Sequence, residues 1–224
     1  MHNQIRSVTA VFGLLVVGVV VTVSVYFFFK SRIVRAYPPA PAARIVSFLT
    51  KPTRTRFGVA PGLGTLYTRP WTDGSLPGGA FWDDFGRAAG EIPVPANTIL
   101  MLSVDSTIRD LSTLSKLDPY DLQILSIPGQ NQITDAAMPA IGHLVGLRSL
   151  QLAGVRLTDE SLRHLSGLIF LEHLDLQKCP IYDEAVPYLS RLTSLRSLLL
   201  FRSRMTTESV ARLRELLPDC AISF

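Results

Sequence analysis

The sequence predicts an α/β solenoid: a short horseshoe with a parallel concave sheet, helices on the convex side, and one N-terminal transmembrane helix ahead of it. Three observations carry this expectation. A strand-like pattern, L-x-x-L-x-L, recurs five times, a second apolar rhythm follows it, and the first thirty residues hold a long uncharged stretch.

The strand pattern falls on Ile99/Leu102/Val104, Leu122/Leu125/Ile127, Leu147/Leu150/Leu152, Leu171/Leu174/Leu176 and Leu195/Leu198/Leu200. Its starts lie 23, 25, 24 and 24 residues apart. A degenerate further copy, Leu217/Cys220/Ile222, predicts a closing strand over Leu217–Ile222. Behind each strand, Ile108, Ile133, Leu157, Ile181 and Met205 form one column. Asp110, Asp135, Asp159, Asp183 and Thr207 form another. Apolar triples then follow at a spacing of three: Met138/Ile141/Leu144, Leu162/Leu165/Leu168, Val186/Leu189/Leu192 and Val210/Leu213/Leu216. A period-2 run followed by a period-3-to-4 run reads as one strand and one helix per turn. One turn alone cannot bury its apolar edge, so neighbouring turns stack around a continuous core.

These residues resemble the leucine-rich-repeat family, in its bacterial 24-residue type with a Thr-Asp step before the helix. Ile133-Thr134-Asp135 and Leu157-Thr158-Asp159 match that step, and Leu217-Pro218-Asp219-Cys220-Ala221-Ile222 is similar to the family's terminal strand. The resemblance covers residues 97–224, as about five repeats plus a closing strand. It departs at the family's Asn/Cys position after the strand, which holds Thr107, the Gln130/Asn131 region, Val155, Cys179 and Ser203. An Asn ladder is therefore absent. The one-residue insertion at Pro128-Gly129-Gln130-Asn131 predicts a bulged turn.

Ahead of the repeats, residues 1–7 are a short tail, and no charged residue occurs from Ser7 to Phe29. As a helix, residues 8–29 would span roughly 33 Å, enough for a bilayer core, and a single isolated span must be helical to satisfy its backbone. A cleaved signal peptide normally has a shorter apolar region. Here the run ends on Lys30-Ser31-Arg32 with Arg35 behind, a stop-transfer flank. Those charges, with Arg44, Lys51, Arg54 and Arg56, put the C-terminal domain on the cytoplasmic side of a single-pass protein. Residues 30–51 are a basic linker whose Tyr37–Ala43 stretch reads as polyproline II. Residues 52–96 are rich in Gly and Pro, with Trp71, Phe81, Trp82 and Phe85 expected to cover the open N-terminal end of the solenoid.

Mean hydropathy is +0.28 and the net charge +4. Residues 1–96 carry ten Lys/Arg against four Asp/Glu, whereas residues 97–224 carry twelve against fourteen. The folded part is thus slightly acidic, which argues against a nucleic-acid partner.

Nothing in the sequence reads as catalytic machinery. No H-E-x-x-H, P-loop, G-x-S-x-G or Cys-x-x-Cys occurs, so neither enzyme activity nor a cofactor or metal is expected. The Asp column reads as helix capping, since a carboxylate at a helix start accepts backbone N–H groups and suits the positive end. Cys179 and Cys220 are expected to be buried free thiols, because strands two turns apart hold their Cα atoms about 10 Å apart, beyond disulfide reach.

What remains is the concave face. The strand positions between the leucines form columns Met101, Ile124, Ser149, His173, Ser197 and Ser103, Ser126, Gln151, Asp175, Leu199. Asp105, Pro128, Ala153, Gln177 and Phe201 flank them, with Arg148, Glu172 and Arg196 alongside. The candidate partner-binding residues are Ile124, Arg148, Gln151, Glu172, His173, Asp175, Arg196, Leu199 and Phe201. The expected function is a membrane-tethered module that binds a protein or peptide on this face. The competing expectation is a structural envelope protein with no dedicated ligand.

Overall fold

The computed structural model describes residues 53–56 (backbone only), 62–71, 82–129 and 132–224, all of them within one compact unit. The expected transmembrane helix at 8–29 and the linker at 30–51 lie outside these residues, as does the tip of the expected bulged turn. Among the described residues no helix is long and apolar enough to cross a membrane.

Among the described residues there are ten strands: β1 Thr53–Arg56, β2 Gly64–Pro70, β3 Asp83–Arg87, β4 Glu91–Val94, β5 Thr98–Val104, β6 Ile124–Ser126, β7 Ser149–Gln151, β8 His173–Asp175, β9 Ser197–Leu199 and β10 Ala221–Ser223. Strands β1 and β4 form an antiparallel pair. The other eight make one sheet in the order β10-β9-β8-β7-β6-β5-β2-β3. From β5 to β10 every pairing is parallel, and each strand is joined to the next by one turn of the solenoid.

The register follows the sequence columns. Met101, Ile124, Ser149, His173 and Ser197 lie opposite one another, as do Ser103, Ser126, Gln151, Asp175 and Leu199. The intervening leucines point the other way and are sealed: Leu150 and Leu198 are 0% exposed and Leu174 is 1% exposed. The columns Ile133/Leu157/Ile181/Met205 and Met138/Ile141/Leu144 join the same core. At about 25 cal/mol per Å2 of apolar surface removed from water, each such leucine contributes roughly 2–3 kcal/mol.

The convex side differs from the expected full helices. It holds short pieces: 3-10 helices at Ser112–Lys116, Asp135–Ala137, Asp159–Gly167 and Asp183–Ala185, and helices α1 Met138–Gly142, α2 Val186–Leu189 and α3 Thr207–Leu216. The spacing of three suits the 3-10 helix Asp159–Gly167, while the other triples begin in α1, α2 and α3. Residues three apart eclipse one another in a 3-10 helix, which has about three residues per turn. Leu162, Leu165 and Leu168 thereby all face inward at 1%, 0% and 1% exposure.

The closing strand is also displaced from its expected place. Ile222, not Cys220, lies opposite Leu198, and Ala221 lies opposite Ser197. Strands therefore keep the 24-residue step from Ser149 through His173 and Ser197 to Ala221. The copy read at Leu217 would have been 22 residues after Leu195. Leu217 instead caps α3, donating its N–H to Leu213 and sitting buried, while Leu216 is 46% exposed.

At the other end, the segment 52–96 adds strands to the sheet. Strand β2 runs antiparallel to both β5 and β3, and Leu63, Leu66, Ala88 and Val94 enter the main core. Of the aromatics expected to cover this end, Phe85 is 36% exposed. Backbone pairing and aliphatic side chains cover β5 there. Phe81 lies outside the described residues.

Three successive turns, those after β7, β8 and β9, leave the strand through a left-handed residue at one place: Gly154 (φ 77°), Lys178 (φ 58°) and Arg202 (φ 61°), again 24 apart. At Gly154 an added Cβ would also meet the Cα of Gly129 in the preceding turn at 3.3 Å.

Replacing the sealed Leu174 by alanine should lower unfolding free energy by about 3 kcal/mol. The same change at the exposed Leu216 should stay within about 0.5 kcal/mol. Chemical denaturation of the two variants checks this; equal losses would contradict the register described here.

Candidate functional site

The concave face is built by the side chains that alternate with the core leucines on β6 to β9. Gln151, His173, Asp175, Arg196 and Leu199 are partly open there, and Phe201 just beyond β9 is 51% exposed. Ser126 Oγ donates to Gln151 Oε1 at 3.1 Å and so ties two neighbouring turns across the face, while Asp175 Oδ1 accepts the N–H of Gln177 in its own turn at 2.9 Å.

Three of the nine expected residues are not open. Ile124 is 6% exposed and packs into the sheet. Arg148 and Glu172 are 1% and 6% exposed and form a buried ion pair, with Arg148 Nε and a terminal guanidinium nitrogen both donating to Glu172 Oε1. The Trp71 ring lies over the guanidinium, 4.6 Å from its carbon to the ring centroid. The two charged residues stand in equivalent places of successive turns, as their spacing of 24 implies. Their burial depends on Trp71, which lies outside the repeats and so could not be read from them. The pair is neutralised in place and acts as a strut between adjacent turns.

Gln123 belongs to the same column and was not singled out from the sequence. It is 4% exposed, its Oε1 accepts the Leu100 N–H at 2.9 Å, and its Nε2 donates to the Tyr120 carbonyl at 2.7 Å. Its position 25 residues before Arg148 was the available signal.

His173 sits opposite Ser149 and Ser197 in the middle of the face. Burial, with Arg148 and then Arg196 adding positive charge nearby, brings its pKa down to about 4 from 6.5. The ring is therefore neutral near pH 7 and can give and accept one hydrogen bond. The unfolded chain takes up this proton below pH 6.5 and the folded protein does so only near pH 4. Stability is thus lost on acidification across that window. His173→Gln should flatten the pH dependence of unfolding free energy between pH 6.5 and 4 relative to the parent protein. Parallel slopes in the two proteins would rule this out.

The Asp column does different work from the capping expected of it. Asp135 accepts the N–H and hydroxyl of Thr158 at 2.9 and 2.7 Å. Asp159 accepts the Tyr182 N–H at 2.8 Å, and Asp183 accepts the N–H and hydroxyl of Thr206 at 2.8 and 3.0 Å. Each carboxylate reaches 23 residues ahead, into the next turn. The backbone bond from Thr206 holds the Asp183 pKa below its usual value, whereas burial raises that of Asp159. Asp110 alone acts locally, on the N–H and hydroxyl of Ser112 at 2.8 Å. The column is an inter-turn ladder, standing where the Asn ladder is missing.

Cys179 also links turns, its Sγ lying 3.0 Å from the Leu152 carbonyl. Burial pushes its pKa up to about 11 and that of Cys220 up to about 12. Both are free, buried thiols. Among the described residues no group of three His, Cys, Asp or Glu could hold a metal ion.

Asp135→Ala removes two hydrogen bonds to a charged acceptor and should cost about 1–2 kcal/mol of stability, measured by urea titration. Asp135→Asn, which keeps one acceptor oxygen, should recover part of that loss. An unchanged midpoint in both variants would show the ladder to be dispensable.

No protein-family model matches the sequence. Nor does any curated protein. Solved structures do match. An internalin (InlF) from Listeria monocytogenes is 29% identical over 52% of this chain and 31% of its own, with a TM-score of 0.44. A leucine-rich-repeat protein of Leptospira interrogans is 22% identical over 55% and 36%, with a TM-score of 0.41. The structure of PEPR1 with AtPEP1 is 17% identical over 57% and 17%, with a TM-score of 0.33. The chain thus spans about a third or less of the length of each. Parallel strands stepping by 24 residues, leucines sealed between them and one helical piece per turn define the architecture independently of these likenesses. By that architecture this chain has a leucine-rich-repeat fold.

Proposed function

We propose that the chain is a non-enzymatic interaction module, tethered to a membrane through residues 8–29, which presents its concave face to a protein or peptide. The observation that carries this reading is the face itself. Its open side chains form one registered column across β6 to β9, Ser126, Gln151, Asp175 and Leu199, with His173 partly open in the neighbouring column between the buried Ser149 and Ser197. Gln151, His173 and Asp175 supply hydrogen-bonding groups in the middle, and Leu199 and Phe201 supply apolar area toward β9. Arg148 and Glu172 serve as support for these residues. Arg196 stands at the edge as the partly open cation. A mixed polar and apolar strip along a stack of turns suits an extended polypeptide, which can be read one turn at a time.

The tether rests on the uncharged run from Ser7 to Phe29 and its basic flank. The same flank puts the solenoid on the cytoplasmic side.

A photoreactive residue at Gln151 or Asp175, activated in native membranes, should trap a discrete protein species. The same group at Glu160 on the convex side should not. Capture from Glu160 alone would sink the concave-face reading, and no capture from either side would favour a structural role.

A further inference from the structure

The turns that leave the strands make a second surface, on the edge between the concave and convex sides. Residues 153–158, 177–182 and 201–206 occupy equivalent places in three consecutive turns. Together they carry Arg156, Lys178, Arg202 and Arg204 and no carboxylate. The cations sit in the loop half of each turn, and the acids Asp159, Glu160, Asp183, Glu184 and Glu208 follow directly in the helical half. All four cations are exposed.

Two large aromatic rings stand among them in the open. Phe201 is 51% exposed with the Arg202 guanidinium 5.5 Å from its centroid, and Tyr182 is 45% exposed with that of Arg204 at 5.9 Å. The backbone knits the group together. Lys178 donates its N–H to the Phe201 carbonyl at 2.9 Å, and Arg204 donates to that of Ile181 at 2.8 Å. The nearest acids of the column, Asp159 and Asp183, are engaged by the N–H groups of Tyr182 and Thr206.

We infer that this edge docks on an anionic phospholipid surface. Cations interleaved with exposed aromatic rings fit the headgroup region, where the charges meet lipid phosphates and the rings lie at the polar–apolar boundary. The inference rests on the membrane tether proposed above, which keeps the solenoid within reach of a bilayer. Docking by this edge would engage Phe201, which borders both surfaces, and leave Gln151, His173 and Asp175 of the concave face open.

Full-length protein is incorporated into vesicles of phosphatidylcholine alone or with phosphatidylglycerol added, and amide hydrogen exchange is followed in residues 177–182 and 201–206. Flotation with the neutral vesicles reports on the tether separately. Exchange in these turns should slow by at least about tenfold in the anionic vesicles only. A Lys178→Gly, Arg202→Gly, Arg204→Gln variant should lose that protection. Glycine suits the left-handed turns at 178 and 202, so the fold is kept while the charge goes. Phe201→Ser should weaken the effect with all four cations intact. Equal exchange in both vesicle types, or protection that survives the triple variant, overturns the proposal. Protection by a single-stranded oligonucleotide and not by anionic vesicles would overturn it too, with nucleic acid as the occupant.

Discussion

Each turn of the solenoid takes its position from the one before it through a bifurcated backbone contact at the start of the strand. The Gln123 carbonyl accepts N–H groups from Arg148 and Ser149, that of Arg148 from Glu172 and His173, and that of Glu172 from Arg196 and Ser197. The Arg196 carbonyl then receives the Ala221 N–H of the last strand. These bonds hold the 24-residue step, and the step decides which side chains are sealed and which are presented. A slip of one residue would turn Leu150, Leu174 and Leu198 outward and bring polar residues into the core. The sealed leucines and the ladder therefore enforce one another, and the Asp column and Cys179 repeat the linkage on the far side of each turn.

The repeat was legible because burial restricts residue type so strongly. Only apolar residues survive at 147, 150, 152 and their equivalents, so their spacing alone yielded the strands and the face columns from β6 to β9. The errors have equally definite causes. Cys220 and Ile222 are apolar enough to imitate a strand pair, and only the hydrogen-bond ladder tells Leu217 apart as a helix-end residue. An Asp beside a helix start looks like a cap whether its oxygens bond their own turn or the next one. The spacing-of-three triples suit α-helix and 3-10 helix alike on paper, and the turns use both, 3-10 at Asp159–Gly167 and α at Thr207–Leu216.

The concave face was legible as a set of columns but not as a set of accessible groups. Alternation tells which side of the sheet a residue faces. It does not tell what lies above it. Arg148 and Glu172 look like surface charges at their sequence positions. They become a buried pair because Glu172 is one turn on and Trp71 arrives from a segment with no repeat character. The recognition chemistry proposed for the face thereby shifts toward Gln151, His173, Asp175, Leu199 and Phe201, with the ion pair holding adjacent turns in place beneath them.

The left-handed residues that end the strands bear on how this chain has been shaped. Gly154 meets that backbone requirement at no steric cost, whereas a residue with a Cβ gives up about 1 kcal/mol or more to adopt it. Lys178 and Arg202 occupy the same place in the next two turns. A more stable solenoid is thus one substitution away at each position, and it would be a less charged one. The molecule trades conformational ease for cations at two successive points along one edge. That trade marks the edge as something other than inert connecting chain.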